Sequence, residues 1–155
     1  QNVDVDIILA PNSNTIANLE KLSEEFIVPI CSSEIAENIN SIADLEQVTP
    51  IHILGFDDHW TRYMAEFGLQ HEVKLTRLMV DTSVAACELV ANNLGRAIVI
   101  ERFAISAMST GQNINITGDR IPLKQSHYLV KKDVTKERKT TVLIFNEWLR
   151  TQFLK

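Results

Sequence analysis

Residues 80–100, VDTSVAACELVANNLGRAIVI, constrain the fold more than any other stretch of the chain. They read as the end of a strand, a polar cap at Asp81, Thr82 and Ser83, and an apolar helix over residues 82–93. A turn at Gly95 and a second strand over residues 97–100 follow. Val84, Cys87, Ala91 and Leu94 fall at 3-4-3 spacing and are the expected buried stripe of that helix. A strand, a helix and a strand joined by such short turns fit α/β layering, with the helix laid across the sheet. The cap has a chemical consequence as well. Backbone N–H groups at a helix N-terminus point outward, and hydrogen bonding and the helix dipole both favour a carboxylate or phosphate there. Capping alone, worth about 1 kcal/mol, accounts for the same hydroxyls without any ligand.

The same alternation runs through the rest of the chain and predicts mixed, mostly parallel sheets. A strand over residues 3–10 ends at the turn cluster Pro11-Asn12-Ser13-Asn14. FIVPIC, residues 26–31, is a second strand, and its Pro29 predicts an edge or crossover position. Ser32 and Ser33 cap a short helix, residues 41–47 form a helical turn, and residues 50–54 form a strand. An amphipathic helix over residues 59–67 carries Trp60, Met64 and Phe67 and stops at Gly68. Further strands are predicted over residues 74–80, 113–116 and 126–130, and a helix over residues 101–108. The closing helix, residues 137–153, has Val142, Phe145, Trp148 and Leu149 as its expected buried stripe.

A chain of 155 residues can bury a substantial core without a metal or disulfide, in one body or two small lobes. No apolar run is long enough to cross a bilayer. Cys31 and Cys87 stand far apart in apolar surroundings without ligand-like spacing, which fits reduced thiols and a cytoplasmic setting. The net charge of −5 is uneven: residues 1–50 hold one basic and nine acidic groups, whereas residues 121–155 hold eight and three. A chain so charged is a poor nucleic-acid binder by itself. Lys131, Lys132, Lys136, Arg138 and Lys139 are interrupted by Asp133 and Glu137 and read as a solvated loop and helix start. His52, Asp57, Asp58 and His59 bring acid/base and metal-ligand side chains together, but their spacing fits no catalytic or metal motif, and the paired aspartates are explained by capping.

Four blocks then stand in a telling order. They are LEKLSEEFIVPICSSEIA at residues 19–36, Ala43-Asp44-Leu45 with HILGFDDHWTRYMAEFGL at residues 43–69, VDTSVAACELVANNLGRAIV at residues 80–99, and HYLVKKD…VLIFNEWLRTQF at residues 127–153. Together they resemble the effector-binding domain of LysR-type transcriptional regulators, particularly glycine-cleavage activators and β-lactamase regulators. The resemblance implies a two-lobed type 2 periplasmic-binding-protein-like fold with two crossover strands. One lobe would be residues 1–30 plus 124–155, lacking the family's opening elements, and the other residues 31–123. It implies a sensor without cofactor, metal or catalytic residue, whose winged helix-turn-helix lies outside this chain. The partners so implied are a small-molecule effector, anionic if it sits on the helix cap, promoter DNA through that helix-turn-helix, and further copies in a homodimer or homotetramer. No membrane is involved. A solute-binding protein of a transport system, exported by a signal peptide, shares the fold and is the alternative.

In parallel α/β sheets, ligands sit beyond the carboxyl ends of strands. That rule selects Asn12 and Ser13 after the first strand and Thr82 and Ser83 after the strand ending at Val80. The resemblance makes Thr82 and Ser83 a recurrent effector contact and puts His127 or Tyr128 on the floor of the cleft between the lobes.

Overall fold

The computed structural model describes residues 3–12, 18–55, 58–69, 77–132 and 136–153. The strands are β1 (Ile7–Pro11), β2 (Leu19–Lys21), β3 (Phe26–Cys31), β4 (Pro50–Ile53), β5 (Leu78–Val80), β6 (Arg96–Ile100), β7 (Asn115–Ile116), β8 (Ile121–Pro122) and β9 (Gln125–Val130). The helices are α1 (Ser33–Ala36), α2 (Asp58–Glu66), α3 (Ser83–Ala91), α4 (Glu101–Ser109) and α5 (Lys136–Phe153), with a 3-10 helix at Ile42–Gln47. The chain divides into two compact units, Gln1–Glu25 with Pro122–Lys155 and Phe26–Ile121.

In the larger unit the sheet order is β5-β4-β6-β3-β7. β4 pairs in parallel with β5 and β6, whereas β3 pairs antiparallel with β6 and β7. Val28, Ile30, Ile51, Ile53, Ala97 and Val99 line one face and pack against Ala86, Cys87 and Val90 of α3 and Ala104 and Ala107 of α4. The intervening residues, Ile27, His52, Arg96 and Ile98, are buried too, as are Trp60, Tyr63 and Met64 of α2. A strand such as β6, buried at all five positions, therefore reads as an unbroken apolar run apart from its first residue, Arg96.

The smaller unit holds the sheet β1-β9-β2, and both of its pairs are antiparallel. The sheets are mixed, as the alternation implies; among the described pairings those of β4 with β5 and β6 are parallel, and those of β1 and β2 with β9 and of β3 with β6 and β7 are antiparallel. Local alternation is silent about strands whose partner comes from a distant part of the chain, and β9 is such a strand for both β1 and β2. It is equally silent about β2 and β8, which carry no alternation of their own.

Of the edge and crossover positions expected for Pro29, the edge is not the one it takes, since β3 lies between β6 and β7. The Pro29 carbonyl accepts from the Thr117 N–H at 3.0 Å. The N and O of one strand residue point to the same neighbour, so the missing donor falls at the end of the two-residue β7 and the ladder to β6 is spared.

Three predicted stripes hold only in part. In α3 the buried residues are Ala86, Cys87 and Val90, while Val84 and Leu94 are exposed. In α5 Leu149 is buried and Val142 half-buried, but Phe145 and Trp148 are exposed. In α2 Trp60 and Met64 are buried as expected, and Tyr63 is buried in place of Phe67. Helices that are apolar on several sides offer more than one stripe, and tertiary packing chooses among them.

Asn93 closes α3 at φ 62, a conformation asparagine tolerates better than other non-glycine residues. Its Oδ1 accepts from the fully buried Ser32 hydroxyl at 2.7 Å. Asn93→Ala is expected to lose about 2 kcal/mol, from αL cost and an orphaned buried hydroxyl, and Asn93→Gly to recover the backbone part. Chemical denaturation of both variants checks this, and equal losses would show that the backbone plays no part.

Candidate functional site

β5 delivers the chain to the N-terminus of α3, where Thr82 is extended at φ −138, ψ 155 and its hydroxyl accepts from the Ala85 N–H at 3.1 Å. The N–H groups of Ser83 and Val84 lie at the start of the helix, where no intrahelical acceptor exists. Thr82 is exposed and Ser83 half-buried. The cap is thus formed and faces outward, as its sequence predicts.

In the smaller unit, the alternation along β9 separates the residues that the resemblance groups together. Tyr128 and Ser126 share one face, opposite Ile8 and Ala10 of β1, whereas His127 lies on the other face opposite Leu9. Asn12 extends the first face: its N–H donates to the Lys124 carbonyl at 2.8 Å and its Nδ2 to the Leu123 carbonyl at 2.9 Å. Its Oδ1 accepts from the buried Ser126 hydroxyl at 2.5 Å. Asn12, Ser126 and Tyr128 therefore share one face of the sheet, on which Ser126 and Tyr128 are both buried. Ser13 lies outside the described residues.

His127 faces elsewhere. Its Nδ1 donates to Glu25 Oε1 at 2.9 Å, Ser23 donates to the same oxygen at 2.5 Å, and the Phe153 ring lies 5.5 Å from the imidazole. Glu25 is only 3% exposed, so this histidine holds a buried carboxylate in place. Sequence reasoning passed over both Glu25 and Ser126. The signal for Ser126 was available, as a small polar residue two positions from Tyr128 on the same face of the strand; Glu25 carries none, since its partner is 102 residues away.

Of the alternative acid/base group, His52 and His59 are buried, Asp57 lies outside the described residues and so does the side chain of Asp58. Among the described residues no three histidine, cysteine or acidic side chains lie close enough together to hold a metal. Both cysteines are free and buried, and burial pushes the Cys87 thiol up to about 11. No helix among the described residues is long and apolar enough to cross a membrane.

The mixed α/β units define the class: the chain has the type 2 periplasmic-binding-protein-like fold found in effector-binding domains of LysR-type regulators. In particular, it is similar to the effector domain of the transcriptional regulator AmpR of Pseudomonas aeruginosa, with a TM-score of 0.75 and 22% identity over 98% of this chain and 73% of that one. The AmpR effector-binding domain from Citrobacter freundii matches at 0.76 and 20% identity, covering 97% and 74%. Full-length LysG from Corynebacterium glutamicum, with its effector Arg bound, matches at 0.62 and 14%, covering 94% and 50%. No protein-family model and no curated protein matches the sequence.

Proposed function

We propose that this chain is the effector-sensing regulatory domain of a LysR-type, DNA-binding transcriptional regulator. The observation that carries the reading is the fold shared with the AmpR effector domain over 98% of the chain. In this reading a small metabolite contacts Thr82 and Ser83 of the larger unit; the candidate contacts that the smaller unit offers are Asn12, Ser13 and Tyr128. His127, committed to Glu25, is a lesser candidate contact. The exposed cap suits a carboxylate or phosphate on the effector.

The proposed mechanism is a population shift without chemistry on the ligand. An effector that binds one conformation more tightly than another moves the equilibrium by its differential affinity alone, and the regulator's grip on promoter DNA follows. The protein then works in the cytoplasm as a homodimer or homotetramer, and not as an enzyme.

A metabolite screen by thermal shift tests the reading, because a ligand at about a hundred times its Kd stabilises the native state by about 2.7 kcal/mol. Thr82→Val with Ser83→Ala is expected to weaken the hit about tenfold or more, while removal of the cap lowers stability by about 1 kcal/mol. Unchanged affinity in a folded double variant would remove the cap from the site.

A further inference from the structure

We propose that β1 of the smaller unit is a docking edge for a second copy of this chain, the two β1 strands pairing antiparallel with each other. The inference deepens the regulatory reading, on which it rests for a homo-oligomer, by naming the surface through which two copies meet.

The hydrogen-bonding groups of β1 are only half used. Its sheet runs β1-β9-β2, so β9 covers one side of the strand. The Asp6 carbonyl accepts from the Val130 N–H at 2.9 Å, and the Asn12 N–H donates to the Lys124 carbonyl at 2.8 Å. By the alternation of an antiparallel ladder, Asp6, Ile8, Ala10 and Asn12 therefore bond toward β9. The N–H groups of Ile7 and Leu9 and the carbonyls of Ile7, Leu9 and Pro11 turn to the other side, where no strand lies among the described residues. Pro11, which has no N–H to offer, stands at the end of the strand, so no donor is missing from its middle. The run IILAP carries no charge, and an edge of that kind is a template for another strand.

The side chains add an apolar surface beside the edge. α5 covers the sheet over β9 and β2, where Arg150 donates to Glu20 at 3.0 Å and the Phe153 ring lies 5.5 Å from His127. Ile7 and Leu9 belong to the same face, opposite Leu129 and His127, yet they stay 41% and 40% exposed. Phe145 and Trp148 of α5 are exposed as well, with ring centroids 5.4 Å apart. Arg138 lies two helical turns before Phe145, on the same side of α5, and reaches Asp4 just before β1 at 3.0 Å. That flank of the helix is thus the one turned toward β1.

Charge selects the occupant. Antiparallel pairing about Leu9 sets Leu9 against Leu9 and Ile7 against Pro11, so every outward N–H of β1 meets a carbonyl. It also sets Asp6 of one copy opposite Asn12 of the other, in line with Lys124 on the adjoining strand. Lys124 is exposed and makes no ion pair among the described residues, and two strand spacings, about 10 Å, are within reach of its side chain. The two-fold symmetry of a self-pair repeats this match of carboxylate and lysine at the other end. Parallel pairing would instead bring Asp6 beside Asp6.

The test is sedimentation equilibrium of the whole chain together with amide hydrogen exchange. The expected result is a dimer in which the Ile7 and Leu9 amides gain protection as concentration rises, while those of Ile8 and Ala10, bonded to β9, are protected throughout. Leu9→Lys sets like charges face to face and is expected to weaken the dimer about tenfold or more. Leu9→Glu is expected to do the same, and an equimolar mixture of the two folded variants to regain the parent's affinity. The amide measurement on the parent chain decides the matter even where a variant fails to fold. A chain that stays monomeric, Ile7 and Leu9 protection that ignores concentration, a dimer indifferent to Leu9→Lys, or a mixture no tighter than either variant would each overturn the proposal. So would a dimer broken by Met79→Lys, on β5 at the end of the larger unit's sheet, and not by Leu9→Lys. A hit in the metabolite screen would stand in all of these cases, so failure of this interface is distinct from failure of the regulatory reading.

Discussion

Gly95→Ala is expected to lower the melting temperature by about 6–12 °C, the equivalent of about 3 kcal/mol in a chain of this size. A Cβ at this position would stand 2.4 Å from the Thr49 carbonyl oxygen and 3.3 Å from Ile51 Cγ1. Backbone cannot swing aside as a side chain can, so overpacking of about 1–3 kcal/mol is expected. The φ of +154° adds to this, because it lies where L side chains rarely go. The clash also falls on a working acceptor: the Thr49 carbonyl takes the Arg96 N–H at 3.0 Å, just where β4 and β6 begin to pair. Gly68→Ala is the control. It too has positive φ, +73°, but nothing lies within 4 Å of its Cβ, so only the αL cost of about 1–2 kcal/mol applies. Thermal melts of the two variants separate the effects, and equal shifts would mean that close approach at Gly95 is not what the fold requires.

What could be read from the sequence was whatever depends on neighbours along the chain. The strand FIVPIC spans Phe26–Cys31 as expected, and the Thr82 cap forms because a hydroxyl and an N–H three residues on are the only parts required. What could not be read depends on partners far away. LEK becomes β2 only because β9 offers a free edge, with Glu20 opposite Leu129. Phe145 and Trp148 looked buried because they sit at helical spacing, yet the inward face of α5 is set by Val142, Leu149 and the Arg150–Glu20 ion pair.

The candidate site divides along the same line. Thr82, Ser83 and Asn12 were legible from cap and turn grammar. The separation of His127 from Tyr128 was legible in principle from the period of two, but not which of them meets solvent. Their surroundings were not legible: the Ser126–Asn12 bond spans 114 residues, and no pattern of residue types announces it.

Arg96 should distinguish charge from volume: Arg96→Ala is expected to lose about 3–5 kcal/mol, and Arg96→Met to stay within about 1 kcal/mol of the parent. Arg96 is 1% exposed, with its guanidinium 4.1 Å from the Trp60 ring centroid and Nε donating to the Val48 carbonyl at 2.9 Å. Its Nη1 has no hydrogen-bond partner among the described residues. Burial pushes its pKa down to about 10, a shift the charge of Glu46 only partly offsets. From there up to the ordinary guanidinium range the unfolded chain holds more protons than the native one, so native stability rises with pH across that window. Below pH 10 the fold therefore carries a charge penalty of about 3 kcal/mol, which the ring contact, the hydrogen bond and the packing of the side chain offset. Methionine keeps most of the volume over Trp60 and removes the penalty along with the polar contacts, whereas alanine also leaves a cavity. Urea midpoints of the three proteins at neutral pH measure the ranking, and their alkaline dependence isolates the guanidinium, since every other group is common to all three. A methionine variant as unstable as the alanine one would mean that the charge itself holds β6 against α2.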